Sequence, residues 1–121
     1  MDWNFDQNRP IYLQIADRIT RRIVSGTYVP GMRLPAVREL ALDAGVNPNT
    51  MQRALSELER SGMVYSQSTS GRYVTEDQSI IDQARNDLAQ RQISQFFSDM
   101  EELGYPRTTV LTLLTKGGEQ E

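Results

Sequence analysis

Neither cysteine nor histidine occurs in the 121 residues. The first absence excludes disulfides and thiolate metal sites. The second removes the commonest general base and the commonest metal ligand together. Carboxylates alone hold a hard cation when gathered into an oxygen-ligand loop, and the sequence has no such loop. No apolar run approaches the roughly 20 residues needed to span a bilayer. The opening Met1-Asp2-Trp3-Asn4 is neither basic nor apolar enough for a signal peptide. The expectation is a cytoplasmic chain with no membrane contact, no cofactor and no metal. An enzyme is not expected, because no nucleophile–base pair is visible.

What is present suits one compact domain plus a modest appendage. With 38% hydrophobic residues a core is available but small, so a second element without its own core needs a partner. The net charge of −3 argues at first against nucleic acid, but the charge is unevenly spread. Residues 1–75 carry nine Lys and Arg against seven Asp and Glu, whereas residues 76–121 carry four against nine. Seven of the N-terminal basic residues fall between Arg18 and Arg60.

Pro10 to Ser25 reads as a helix, with Pro10 at its first position and Ile11, Ile15, Ile19 and Ile23 forming one apolar stripe. Pro30-Gly31 is a corner, and Met32-Arg33-Leu34 is extended. Ala36 to Ala44 is a second short helix, ended by Gly45. Asn47 caps a third helix that begins at Pro48 and runs to about Ser61, burying Met51, Ala54, Leu55 and Leu58. Met63-Val64-Tyr65 and Arg72-Tyr73-Val74 are strand-like, with the polar loop Ser66 to Gly71 between them, a hairpin pattern. A capping pattern at Thr75-Glu76-Asp77-Gln78 precedes a long helix from about Ser79 to Leu103. A final helix starts at Pro106 and ends at Gly117-Gly118. The fold class expected is mainly α with a small β-hairpin. Residues 1–75 form a winged helix-turn-helix domain, and residues 76–121 form a two-helix dimerisation segment.

Two short helices joined by a tight turn suggest a helix-turn-helix, the core of a DNA-binding unit, against the alternative of an unspecialised helical hairpin. The polar residues of the third helix carry the chemistry. Asn47, Asn49, Thr50, Gln52 and Arg53 crowd its first turns, where a recognition helix meets base edges. Asn and Gln pair with adenine through two hydrogen bonds, and Arg pairs with guanine. For Asn47 taken alone, a helix cap is the better reading. Arg53 is either a phosphate clamp or an ion-pair partner of Glu57. Arg33 and Arg38 flank the second helix, where side chains reach the DNA backbone, or where Arg38 forms a surface salt bridge. Ser70, Gly71 and Arg72 at the hairpin tip suit a minor groove and also suit any exposed loop.

Several of these stretches resemble the GntR family of bacterial regulators. They are Pro10-Ile11-Tyr12-Leu13-Gln14-Ile15, the run from Pro30 to Ala41, and Gly45-Val46-Asn47-Pro48-Asn49-Thr50. Leu58-Glu59-Arg60-Ser61-Gly62 and Gly71-Arg72-Tyr73-Val74 continue the likeness, which spans residues 9–75 in the family's order. The resemblance implies a winged helix-turn-helix, dimeric binding to an inverted repeat of double-stranded operator DNA, and usually repression. It also implies DNA contacts from Arg33, Arg38, Asn49, Thr50 and Gln52, with Gly71 at the wing tip. Two positions depart from the family pattern: Ala36 stands where many relatives have Ser, and Pro48 where many have a basic residue. The remaining segment of about 45 residues resembles the short-tailed, YtrA-like branch. An unidentified small-molecule effector is admitted as a further partner.

The last segment carries Ile93, Phe96, Phe97, Met100, Leu103, Val110, Leu113 and Leu114, more large apolar side chains than two helices bury alone. A second copy of the chain is the expected cover; folding back onto the winged domain is the alternative. Phe96 and Phe97 point about 100° apart, so one is expected to face the neighbouring helix and the other a second protomer. The competing function is a winged-helix protein–protein adaptor without specific DNA binding. A weakly specific architectural DNA protein is disfavoured by the overall acidity.

Overall fold

A computed structural model describes residues 3–120, with the backbone alone for 117–120. The elements run α1 (Ile11–Val24), α2 (Val37–Ala44), α3 (Pro48–Arg60), β1 (Val64–Gln67), β2 (Gly71–Val74), α4 (Gln78–Glu102) and α5 (Arg107–Gln120). This is the mainly helical winged helix-turn-helix with a small hairpin that the sequence pattern predicts. Two compact units divide the chain, one running through Arg85 and the other from Asn86. The first turns of α4 belong to the first unit.

Local chemistry explains each boundary. Pro10 has ψ 125°, so it precedes α1 as its N-cap residue and is not its first helical residue as the sequence reading had it. Ala36 occupies the same position before α2, at ψ 154°, and offers no side-chain cap. Gly45 ends α2 at φ +69°, and the Val46 amide returns to the Ala41 carbonyl at 3.0 Å. A side chain at that φ would clash with its own backbone, which is why the turn uses glycine. Asn47 caps α3 as expected: its Oδ1 accepts from the Asn49 amide at 2.7 Å. Pro48 fills the first helical position, where its missing N–H has no partner to lose.

The hairpin is longer than its apolar residues suggest. Val64 pairs with Val74, Tyr65 with Tyr73, Ser66 with Arg72 and Gln67 with Gly71. Polar residues join the ladder because the pairing is between backbones, so the loop shrinks to Ser68–Ser70. The extended stretch before α2 lies along the free edge of β2. Arg33 bridges Tyr73, the Leu34 amide donates to the Arg72 carbonyl, and Val74 donates to Met32. At the start of α4 the cap is Asp77 rather than Thr75: Asp77 Oδ1 accepts from the Ser79 amide at 3.0 Å. The Thr75 hydroxyl instead accepts from the Asp77 amide. Helix α5 continues past Gly117-Gly118 to Gln120; glycine weakens a helix but stops it only where the backbone turns left-handed.

The core of the first unit gathers Ile15, Ile19 and Ile23 of α1, Leu40 and Ala41 of α2, and Met51, Ala54, Leu55 and Leu58 of α3. Val64 and Val74 of the hairpin and Ile81 of α4 close it. Burying the Ile, Leu, Met and Val side chains contributes about 1.5–3 kcal/mol each relative to exposure. The packing leaves α3 seated on its apolar stripe with its polar residues facing outward.

Candidate nucleic-acid interface

The first turns of α3 present Asn49 and Gln52 exposed and Thr50 half-buried. Asn47 stands beside them, but its Oδ1 is committed to the cap. Neither sequence alternative for Arg53 describes its partner in full. Glu57 pairs with Arg60 instead, and the Arg53 guanidinium stacks over the Tyr12 ring, 3.9 Å from the centroid. Arg60, donating to Glu57, holds that carboxyl below its ordinary pKa.

On the neighbouring elements, Arg38 is exposed near the start of α2, and among the described residues no acidic side chain pairs with it. Arg33 lies across the wing. A Cβ placed on Gly71 would come within 3.0 Å of Arg33 Nε, and Gly71 itself sits at φ +118°. The glycine therefore serves two purposes, backbone freedom and room for the arginine. Ser70 is exposed; its hydroxyl donates to the Gln67 carbonyl at 2.8 Å, and its amide closes the turn on the same oxygen. Arg72 is placed differently. Its side chain is 17% exposed, with Nε 2.6 Å from Glu59 Oε1. The Ser66 hydroxyl donates to the same carboxylate. That hydroxyl first, and Arg72 after it, push the Glu59 pKa down. Arg72 thus ties the wing to the end of α3.

The structure brings Asn49, Thr50 and Arg53 to one cleft of about 390 Å³, completed by Pro10, Ile11 and Tyr12 at the start of α1. By spacing alone Tyr12 reads as part of the apolar stripe of α1, with no sign of a place in this cleft. A second aromatic cluster also went unseen. Arg22 lies between the rings of Trp3 and Tyr28, 5.4 and 5.3 Å from their centroids, and Trp3 Nε1 donates to Asp43. Partners 40 residues apart leave no local signature.

In the second unit Phe97 is half-buried, with Arg107 of α5 stacked 4.3 Å from its centroid, and Phe96 meets it edge-on. Phe96 is exposed, as are Ile93, Leu103, Leu113 and Leu114, and Met100 is half-covered. Val110 is already buried within the chain. Among the described residues no acidic cluster is spaced to hold a metal ion, and no helix is long and apolar enough to cross a membrane.

Comparison with known proteins gives a consistent set. The profile of the bacterial regulatory proteins of the gntR family matches residues 11–74. The uncharacterised helix-turn-helix-type transcriptional regulator YhcF of Bacillus subtilis is 40% identical over 98% of this chain and 100% of its own. The helix-turn-helix-type transcriptional repressor YtrA of the same organism is 33% identical over 78% of this chain and 74% of its own. Among solved structures, a GntR family transcriptional regulator from Listeria monocytogenes superposes with a TM-score of 0.81 at 42% identity, covering 93% of this chain and 98% of that one.

Proposed function

The chain belongs to the gntR family of bacterial regulatory proteins, and from that premise we propose a sequence-specific DNA-binding repressor that grips an inverted-repeat operator as a homodimer. The observation that carries the reading is the row of exposed Asn49 and Gln52 with half-buried Thr50 on a capped helix whose opposite face is locked into the core. A rigid helix with amide side chains near its N-terminus meets the geometric demand of major-groove readout. Arg38, with no acidic partner among the described residues, contacts a phosphate. Arg33, Ser70 and Gly71 bring the wing to the adjacent groove. Asn47 and Arg72 act from behind this surface, one capping the recognition helix and the other fixing the wing to it.

Dimerisation is the role proposed for the second unit. Ile93, Phe96, Met100 and Leu103 recur at spacings of three, four and three residues, one face of α4. With Leu113 and Leu114 they offer an apolar surface that a second copy covers, and Phe97 and Val110 support it from inside. A two-fold pair of this kind presents two recognition helices to a palindromic site. Repression follows the name of the YtrA relative.

Selection of bound duplexes from random DNA, followed by footprinting, tests the reading. The full chain is expected to recover a palindromic sequence. Gln52→Ala and Asn49→Ala each weaken it by about 1–3 kcal/mol and relax one base position. Arg38→Ala weakens all sequences alike and lowers the salt slope by about one. Recovery of no preferred sequence favours a protein–protein adaptor instead.

A further inference from the structure

Arg53 is held in an unusual way for an exposed arginine. Its guanidinium carbon lies over the Tyr12 ring, 3.9 Å from the centroid, and its nearest acidic neighbour along α3, Glu57, is occupied by Arg60. No carboxylate pairs with Arg53 among the described residues. Stacking leaves the in-plane N–H edge of a guanidinium free, and that edge matches the oxygens of a phosphate. Arg53 lines one cleft together with Asn49 and Thr50, so neutral hydrogen-bonding groups accompany the charge. An arginine held against an aromatic face loses less freedom on binding than one that swings in water.

We propose that Tyr12 is a positioning residue for DNA binding: its ring holds Arg53 at the cleft between the starts of α1 and α3, where the guanidinium receives one backbone phosphate of the operator. This rests on the DNA-binding reading above and extends it to a residue on α1. The contact fixes the register of α3 on the duplex without reading sequence. Tyr12 acts through its ring face, so its hydroxyl is dispensable.

The test is a double-mutant cycle on the full chain, using a duplex selected from random DNA and a salt titration. Tyr12→Leu is expected to weaken binding about three- to tenfold, and Tyr12→Phe to stay within about twofold of the parent. Arg53→Ala weakens binding and lowers the salt slope by about one. In the Arg53→Ala background Tyr12→Leu has no further effect. A tetrafluorinated phenylalanine at position 12, which keeps the ring's shape and drains its negative face, reproduces the leucine loss without disturbing the fold. Equal losses from Tyr12→Leu with and without Arg53 overturn the inference, as does full binding by the fluorinated chain. A Tyr12→Phe loss as large as that of Tyr12→Leu overturns it too, by assigning the contact to the hydroxyl. If the parent chain recovers no duplex, the DNA-binding reading itself falls and the inference with it.

Discussion

The two units treat their apolar residues in opposite ways. In the first, Ile15, Ile19, Met51, Ala54 and Val74 are completely inaccessible, and its outward side chains on α3 are polar. In the second, Leu88 and Val110 are the buried ones among the described residues, while Leu103 is 71% exposed, with Ile93, Phe96, Leu111, Leu113 and Leu114 also open. Single exposed leucines need no explanation, but a row sharing one helix face marks a surface meant to be covered. The first unit buries its large apolar side chains and is the proposed reader of DNA. The second leaves a row of them open and is the proposed joint between two copies.

The joint is where the comparison breaks most sharply. Phe96→Asp combined with Leu103→Asp should separate the proposed dimer and reduce operator affinity by about 10²–10⁴, because linked sites gain avidity without new DNA contacts. Fluorescence anisotropy against the selected duplex measures the loss, and the thermal transition of the winged unit should persist. The same two changes leaving affinity intact would move the joint elsewhere.

Truncating the core attacks the other side of the contrast. Ile19→Ala removes a fully buried side chain between helices and should cost about 2–5 kcal/mol in urea unfolding. By contrast, Leu42→Ala on α2, where the side chain is 84% exposed, should change stability by about 0.5 kcal/mol or less. Similar losses from both would mean that the core is misassigned.

A smaller gain is available at the start of α2. Ala36 holds the N-cap backbone conformation with no side chain to cap it, and Glu39 stands in the first turn. Ala36→Ser should raise stability by about 0.5–2 kcal/mol, visible as a higher melting midpoint.

The smallest effect is one of pH. Glu59 has its pKa lowered by the Ser66 hydroxyl and then by Arg72. A carboxyl with a depressed folded pKa adds stability that is present above its unfolded pKa and lost as pH falls through the folded one. The parent chain should therefore lose more stability than Glu59→Gln on the acid side of the ordinary carboxylate range. Parallel pH profiles in chemical unfolding would show the wing clamp to be inert.

What was legible in the sequence was local. Ile15, Ile19 and Ile23 announce α1 through their spacing, Asn47-Pro48 announces the start of α3, and Gly45 the turn, because each obeys a rule spanning a few residues. The exposure of Asn49 and Gln52 follows from the same periodicity. Partner choice between distant elements was not legible. Arg72 meets Glu59, Arg53 meets Tyr12 and Trp3 meets Asp43 only after folding brings them together. At the start of α4, Thr75 and Asp77 both suit a cap by type; Asp77 takes that role, while Thr75 is buried and its amide donates to the Met63 carbonyl. Phe96 and Phe97 were distinguishable in principle by angle, but Arg107 decides which of them is covered.

The two units are proposed to divide the work, with α3 reading DNA and the second unit pairing two readers. A base-resolved protection footprint of the full chain on its selected duplex tests this most directly. The prediction is two equivalent patches related by a dyad, with centres one helical turn or a multiple of it apart, about 34–36 Å per turn. A single unsymmetrical patch of full affinity, or protection unchanged when Asn49 and Gln52 are replaced by alanine, would contradict it.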